Sequence, residues 1–221
     1  MVTAPNLAQL EWMVHGFGTR TSQYPPGIIT LRQIHSCVVW EASHVSDGVS
    51  DGVVAEGDAL VSRIPGVLVG IRTADCVPIL IADPVTRAVA ALHAGWRGTA
   101  GWMVAAAIRT ICANGTSRPG DLIAAIGPSI GACCYETGPE VALQFDRAFH
   151  SGTTVAGAAH IDLRAANEAQ LRSSGVSNIW KSPECTFCSG DRYYSYRRER
   201  EEAGRMISFA GVRRKKTGGP V

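Results

Sequence analysis

Cys76 and His93 place a thiol and an imidazole at the ends of two apolar runs. Val77 to Ala82 and Ala88 to Leu92 are each of strand length, and Asp83-Pro84-Val85-Thr86-Arg87 between them carries turn residues. The pattern predicts a β-hairpin. With Pro84 and Val85 as a two-residue loop, Cys76 and His93 face each other at its open end. Opposed Cβ atoms lie roughly 4.5–5.5 Å apart, near enough for both side chains to hold one ion. A thiol with an imidazole suits zinc or copper. Ala94-Gly95-Trp96-Arg97-Gly98 follows, where small residues let backbone crowd a site. Trp96 and Arg97 add a stacking face and a fixed cation. His35 is expected inside a strand within Ile28–Trp40, with Gln33 and Ser36 placed to orient its ring. Two histidines and a cysteine with a fourth position open are the composition of a catalytic zinc site. The same atoms admit another chemistry, with Cys76 as a nucleophile and His93 as its base.

Other groupings carry weaker signals. Cys185-Thr186-Phe187-Cys188 is a C-x-x-C without a convincing helix start to activate it. With Cys133 and Cys134 it could form a structural zinc site, but adjacent cysteines are poor spacing, so buried small side chains are the expectation. Gly127 to Gly131 lacks the ending of a phosphate loop. Asp75, beside Cys76, is expected to hydrogen-bond its loop ahead of acting as a base.

These residues need a scaffold, and the rest of the chain supplies one. Strands are expected at Trp12–Phe17, within Ile28–Trp40, at Asp58–Val61, Val67–Ile71, Leu122–Ile126, Val176–Trp180 and Met206–Val212. A loop or hairpin is expected over Val45–Glu56. Helices are expected at Trp96–Asn114, stopped by Gly115, at Pro139–Phe149, and at Leu163–Arg172 with Asp162 as N-cap. Mixed helices and strands with an antiparallel hairpin give an α/β or α+β class with a mixed sheet. The 221 residues read as one domain over 1–221, with 213–221 a disordered basic tail. Composition is that of a globular chain with a sizeable core, at 46% hydrophobic and 18% charged. A net charge of +2 argues for neither nucleic acid nor an anionic membrane as partner. No apolar run nears the roughly 20 residues of a membrane span, and the N-terminus lacks the layout of a secretion signal. Seven cysteines without such a signal point to reduced thiols and a cytoplasmic location.

QIHS at 33–36, GDAL at 57–60, RTADCVPIL at 72–80, HAGWRG at 93–98, IGPSIGACCYE at 126–136 and YSYRR with GRM at 194–206 resemble the YfiH laccase-domain family. The resemblance implies a sandwich of mixed β-sheets flanked by helices, kin to toxin-type cysteine hydrolases. It implies His35, Cys76 and His93 as metal ligands, with zinc, or copper, as the ion. It implies a purine nucleoside phosphorylase that takes adenosine, inosine, guanosine or S-methyl-5′-thioadenosine with phosphate, and a zinc-dependent adenosine deaminase. A copper-dependent polyphenol oxidase is the alternative the family's other name carries. That activity needs a cluster built from many imidazoles, and the chain has six scattered histidines. Phosphorolysis needs cations, and Arg32, Arg72, Arg97 and Arg197 are the candidates, with Cys76, His93 and Arg72 expected to be catalytic. The chain departs from the family pattern near residues 17–28, where GFGTRTSQYPPG makes a short loop.

Overall fold

A computed structural model describes residues 1–42, 53–150, 152–155 and 158–214. His44, most of the segment expected as a loop at 45–56, and residues 215–221 of the expected tail lie outside these. The strands are β1 (Met13–Phe17), β2 (Ile28–Arg32), β3 (Val39–Glu41), β4 (Val53–Glu56), β5 (Ala59–Ser62), β6 (Leu68–Thr73), β7 (Val77–Asp83), β8 (Ala88–Ala94), β9 (Ile123–Ile126), β10 (Gly152–Val155), β11 (Ala158–Ile161), β12 (Asn178–Lys181) and β13 (Met206–Val212). The α-helices are α1 (Pro5–Ala8), α2 (Trp96–Ala100), α3 (Met103–Cys112), α4 (Pro139–Phe149), α5 (Leu163–Ser173) and α6 (Tyr196–Glu199).

Two mixed sheets form, of order β12-β9-β7-β8-β5-β3 and β1-β13-β6-β2-β4. Residues along a strand point alternately to opposite faces. Val77, Ile79 and Ile81 therefore meet Met103, Ile108 and Phe145 from the helices, while Leu80 and Ala82 meet Val69, Ile71 and Ile29 of the second sheet. The six-stranded sheet is thus the middle layer. Every residue of β7 and β8 is buried, which is why both read as unbroken apolar runs instead of an alternating pattern. Removing a side chain such as Leu80 or Leu92 would cost about 2–5 kcal/mol.

Several expectations need correction. The β7–β8 pairing runs from Val77↔Ala94 to Asp83↔Ala88, so the connection is the four residues 84–87. Asp83 builds it: its carboxylate accepts the Val85 N–H at 2.9 Å and the Thr86 hydroxyl, and Arg87 turns the chain back at φ 56°. By this register Cys76 lies opposite Gly95 and diagonal to His93. Pairing partners have shifted by two residues, which preserves the face, so thiol and imidazole still share a side. The expected long helix from Trp96 is two helices, broken where Trp102 takes φ 65°. Gly101 closes the first helix with its N–H on the Arg97 carbonyl, and Trp102 is exposed with its ring 5.5 Å from that of Phe149. His35 lies after β2 at φ 58°, not inside a strand. Finally, the β10–β11 hairpin has no counterpart in the sequence reading; Ala158–Ile161 gives too little period to mark a strand. In α4, Leu143 is exposed. Arg213, at the start of the expected tail, is held by hydrogen bonds to the Trp12 and Met13 carbonyls. Among the described residues no helix is long and apolar enough to cross a membrane.

Candidate metal and nucleoside site

The site begins at a buried carboxylate. Asp58, in the connection before β5, has no exposed surface. It accepts the backbone N–H groups of Ile34, His35 and Ser36 at 3.3, 3.0 and 2.6 Å, and the Ser36 hydroxyl at 2.7 Å. The left-handed turn at His35 aims three successive N–H groups at one anion. Asp58 also meets His93 Nδ1 at 2.8 Å. Burial alone would raise the Asp58 carboxyl, but His93 and Ser36 overcome it and hold it down at about 2. One carboxylate therefore places the segment that bears His35 and fixes the ring of His93, leaving Nε2 as its free nitrogen. Gln33 and Ser36 do not orient the His35 ring as expected. Gln33 pairs both ways with the Arg72 backbone, at 2.8 and 2.7 Å, and Ser36 serves Asp58.

Cys76 is aimed by its neighbour. Asp75 sits at φ 90°, a conformation that costs about 1–3 kcal/mol in a non-glycine residue. Its carboxylate accepts Thr186 Oγ1 at 2.6 Å, Ser195 Oγ at 3.0 Å and the Arg197 N–H at 2.7 Å. Those donors hold the strained turn and leave Asp75 the structural part. Opposite Cys76, a Cβ on Gly95 would stand 3.1 Å from both Cys76 Sγ and His35 Cδ2. Glycine there keeps open the space in which the three side chains meet.

The ligand atoms of His35, Cys76 and His93 all lie within 4.8 Å of one another, and the two imidazole rings are 4.9 Å apart at 74°. Burial works against the Cys76 thiolate, yet His93 and His35 bring its pKa down to about 6. Burial likewise opposes the His93 imidazolium, which Cys76 and Asp58 lift to about 9. A thiolate beside two imidazoles is a donor set that fits a zinc-like ion, which would take the place of the shared proton.

The trio opens on a cavity of about 990 Å³. All four expected arginines line it: Arg32, Arg72, Arg97 and Arg197. Arg32 pairs with Glu56 at 3.0 Å, Arg97 stacks on Trp96 at 4.4 Å, and Arg197 lies over the Tyr135 ring at 5.2 Å while donating to the Glu136 carbonyl at 3.0 Å. Among the described residues no carboxylate forms an ion pair with Arg72. Arg20, on the short loop, is turned away: it stacks on Tyr194 and bonds the carbonyls of Gly190 and Tyr193 and the carboxylate of Glu199.

Residues 15–213 match the family described as multi-copper polyphenol oxidoreductase laccase. The chain belongs to that family. It is 40% identical, over 85% of its length and 75% of the relative's, to a protein named adenosine deaminase RL5 from an unknown prokaryotic organism. It is 43% identical over 72% of its length to a purine nucleoside phosphorylase of Deinococcus radiodurans, of which 63% is covered. Its fold is similar to that of YlmD from Geobacillus stearothermophilus, with a TM-score of 0.83 and 28% identity across 96% of this chain and 94% of that one. YfiH from Bacillus licheniformis superposes with a TM-score of 0.80 at 27% identity, over 92% and 94% of the two chains.

Several residues of the pocket escaped the sequence reading. Asp58 stands 35 positions from His93 with no periodic link to it, and only its place in GDAL marks it. Tyr135, Arg200 and Arg205 join the lining from distant segments. Cys188, expected as a buried small side chain, is exposed, as is Cys133.

Proposed function

We propose that this chain is a purine nucleoside phosphorylase that also deaminates adenosine, with zinc held by His35, Cys76 and His93. The observation that carries the reading is the shared cavity: a thiolate–imidazole trio opens on a space lined by six arginines, with Asp75 and Glu201 as the acidic residues of that lining. The names of the relatives support both activities. A bound zinc ion would supply a Lewis acid that activates water against the 6-position of adenine.

The chain's own residues do the rest. Arg72, which faces the cavity and forms no ion pair among the described residues, holds phosphate as a dianion, with Arg197 and Arg97 lining the same space. An oxygen of that phosphate attacks C1′ of the ribose, the glycosidic C–N bond breaks, and the base leaves with the electron pair. Trp96 and Tyr135, each with an arginine over its ring, line the space that a purine would enter. Asp58 keeps His93 Nδ1 occupied, so that Nε2 alone serves the site. Against the polyphenol oxidase, the described residues form two groups of metal-ligating side chains, and only one contains histidine.

A phosphate-dependent assay on adenosine, inosine, guanosine and S-methyl-5′-thioadenosine tests the reading. Cys76→Ala should abolish deamination and empty the His35–Cys76–His93 site while keeping the fold, since a core of this size needs no metal. Arg72→Ala should raise KM for phosphate by tenfold or more. Deamination surviving in Cys76→Ala with no ion at His35 and His93 would overturn the mechanism.

A second reading rests on one alignment. Cys76, His93 and Asp58 stand in the order of a cysteine nucleophile, its base and the base's orienting carboxylate. It requires that metal-free protein cleave acyl substrates and that added zinc inhibit it.

A further inference from the structure

The fold gathers four cysteines that the nucleoside pocket does not use. The sulfurs of Cys133, Cys134, Cys185 and Cys188 all lie within 4.8 Å of one another. Cys188 Sγ is 3.7 Å from that of Cys133 and 3.4 Å from that of Cys134. Each pair is presented by a single turn of helix-like backbone. Cys134 and Tyr135 both donate their N–H to the Gly131 carbonyl at 3.0 Å, so 131–135 winds instead of extending. Successive side chains then diverge by about 100° and not by the 180° of a strand, which lets adjacent cysteines reach one point. Ser189 donates to the Cys185 carbonyl at 3.0 Å, which puts Cys185 and Cys188 on one face at i, i+3 spacing. The two turns are stitched by the Ser129↔Cys185 bridge and by the Thr186 N–H on the Ser129 carbonyl at 3.1 Å.

We propose that these four cysteines form a second, closed metal site that takes one zinc ion as a tetrathiolate. Four sulfurs about 2.3 Å from one ion define a tetrahedron with edges of about 3.8 Å, close to the separations seen. All four are free thiols, with Cys188 Sγ 3.4 and 3.7 Å from its neighbours where a disulfide would hold sulfurs about 2.0 Å apart. Hydrophobic packing does not account for the cluster, because Cys133 and Cys188 are exposed. The surroundings suit an anionic centre. The Gly131 N–H donates to Cys185 Sγ at 3.2 Å. A Cβ on Gly131 would meet the Arg164 guanidinium at 2.8 Å, so that cation lies against the cluster. Arg164 is held there by the Ser182 and Glu184 carbonyls, at 3.0 and 3.1 Å. With every ligand position taken by sulfur, the ion is structural. It clamps the turn that bears Tyr135 to the one that bears Thr186, one of the three donors to Asp75. The pocket wall and the strained turn before Cys76 are braced through it.

The test separates this ion from the one proposed at Cys76. Cys76→Ala protein, purified without chelator and dialysed against zinc, should retain one zinc per chain by elemental analysis. X-ray absorption at the zinc edge should show four sulfur neighbours at about 2.3 Å. Stripping that ion should lower Tm. The double variant Cys133→Ser/Cys188→Ser should hold one zinc fewer than wild type, which keeps the question answerable if Cys76→Ala does not fold. A zinc-free Cys76→Ala protein, nitrogen neighbours at the edge, or a disulfide to Cys188 in freshly purified protein would overturn the proposal. None of these readouts depends on nucleoside activity.

Discussion

Asp58 is the residue on which the trio depends. It accepts from three backbone N–H groups, a hydroxyl and an imidazole, and has no exposed surface. Asp58→Asn keeps the shape but replaces one acceptor oxygen with a donor and removes the charge. The His93 ring then loses its partner at Nδ1, and at least one N–H of the 34–36 turn faces an N–H in return. Zinc affinity at His35–Cys76–His93 should fall by about 10–100-fold, the usual effect of losing a ligand's orienting partner. Competition with a chelator of known affinity measures it. An unchanged affinity would mean that Asp58 serves folding alone.

The β7–β8 hairpin carries both Cys76 and His93, and its closed end is set by Asp83. That carboxylate is buried and accepts from Val85, Thr86 and Ser117. Burial would raise its pKa, but the hydrogen bonds from Ser117, Thr86 and Val85 win and lower it. A carboxyl depressed in the folded state contributes stability that is complete above its unfolded value of about 3.9 and is lost as pH falls through the folded value. Asp83→Asn should therefore cost about 2 kcal/mol at neutral pH. The difference between variant and wild type should shrink below about pH 4. Urea unfolding followed from pH 7 to pH 3 reads both. A gap that stays constant with pH would assign the loss to packing and not to the charge.

Across the molecule, charge is nearly balanced, with 21 basic and 19 acidic side chains, and yet one cavity collects six arginines. A concave site with low-dielectric walls concentrates that field on an anion. Raising ionic strength from 0.01 to 0.15 M shortens the screening length from about 30 to about 8 Å. KM for phosphate should rise severalfold over that range, while KM for adenosine, which is neutral, should barely move. Parallel changes in both constants would place phosphate outside the arginine cavity. Saturating phosphate should also raise Tm, by linkage, and Arg72→Ala should blunt that rise.

The sequence alone determined what is local. The apolar runs of β7 and β8, the N-cap at Asp162, whose side chain accepts the Ala165 N–H at 3.0 Å, and the α4 span Pro139–Phe149 follow from residue type and period. Cys76 and His93 were legible as a pair because the hairpin's parity survives a register error of two. Three things waited for the tertiary structure. Trp102 breaks a helix whose periodicity runs straight through it, at a place where a Cβ on Gly101 would meet Cys37 Sγ at 2.6 Å. Asp58 reaches two segments at once, 22–24 and 35 residues away, and no sequence period encodes such a contact. Cys133 and Cys134 looked wrong for a metal because spacing rules assume each ligand pair comes from a familiar knuckle. Here a wound turn at 131–135 and a second at 185–189, brought together by sheet and loop packing, set the sulfurs side by side.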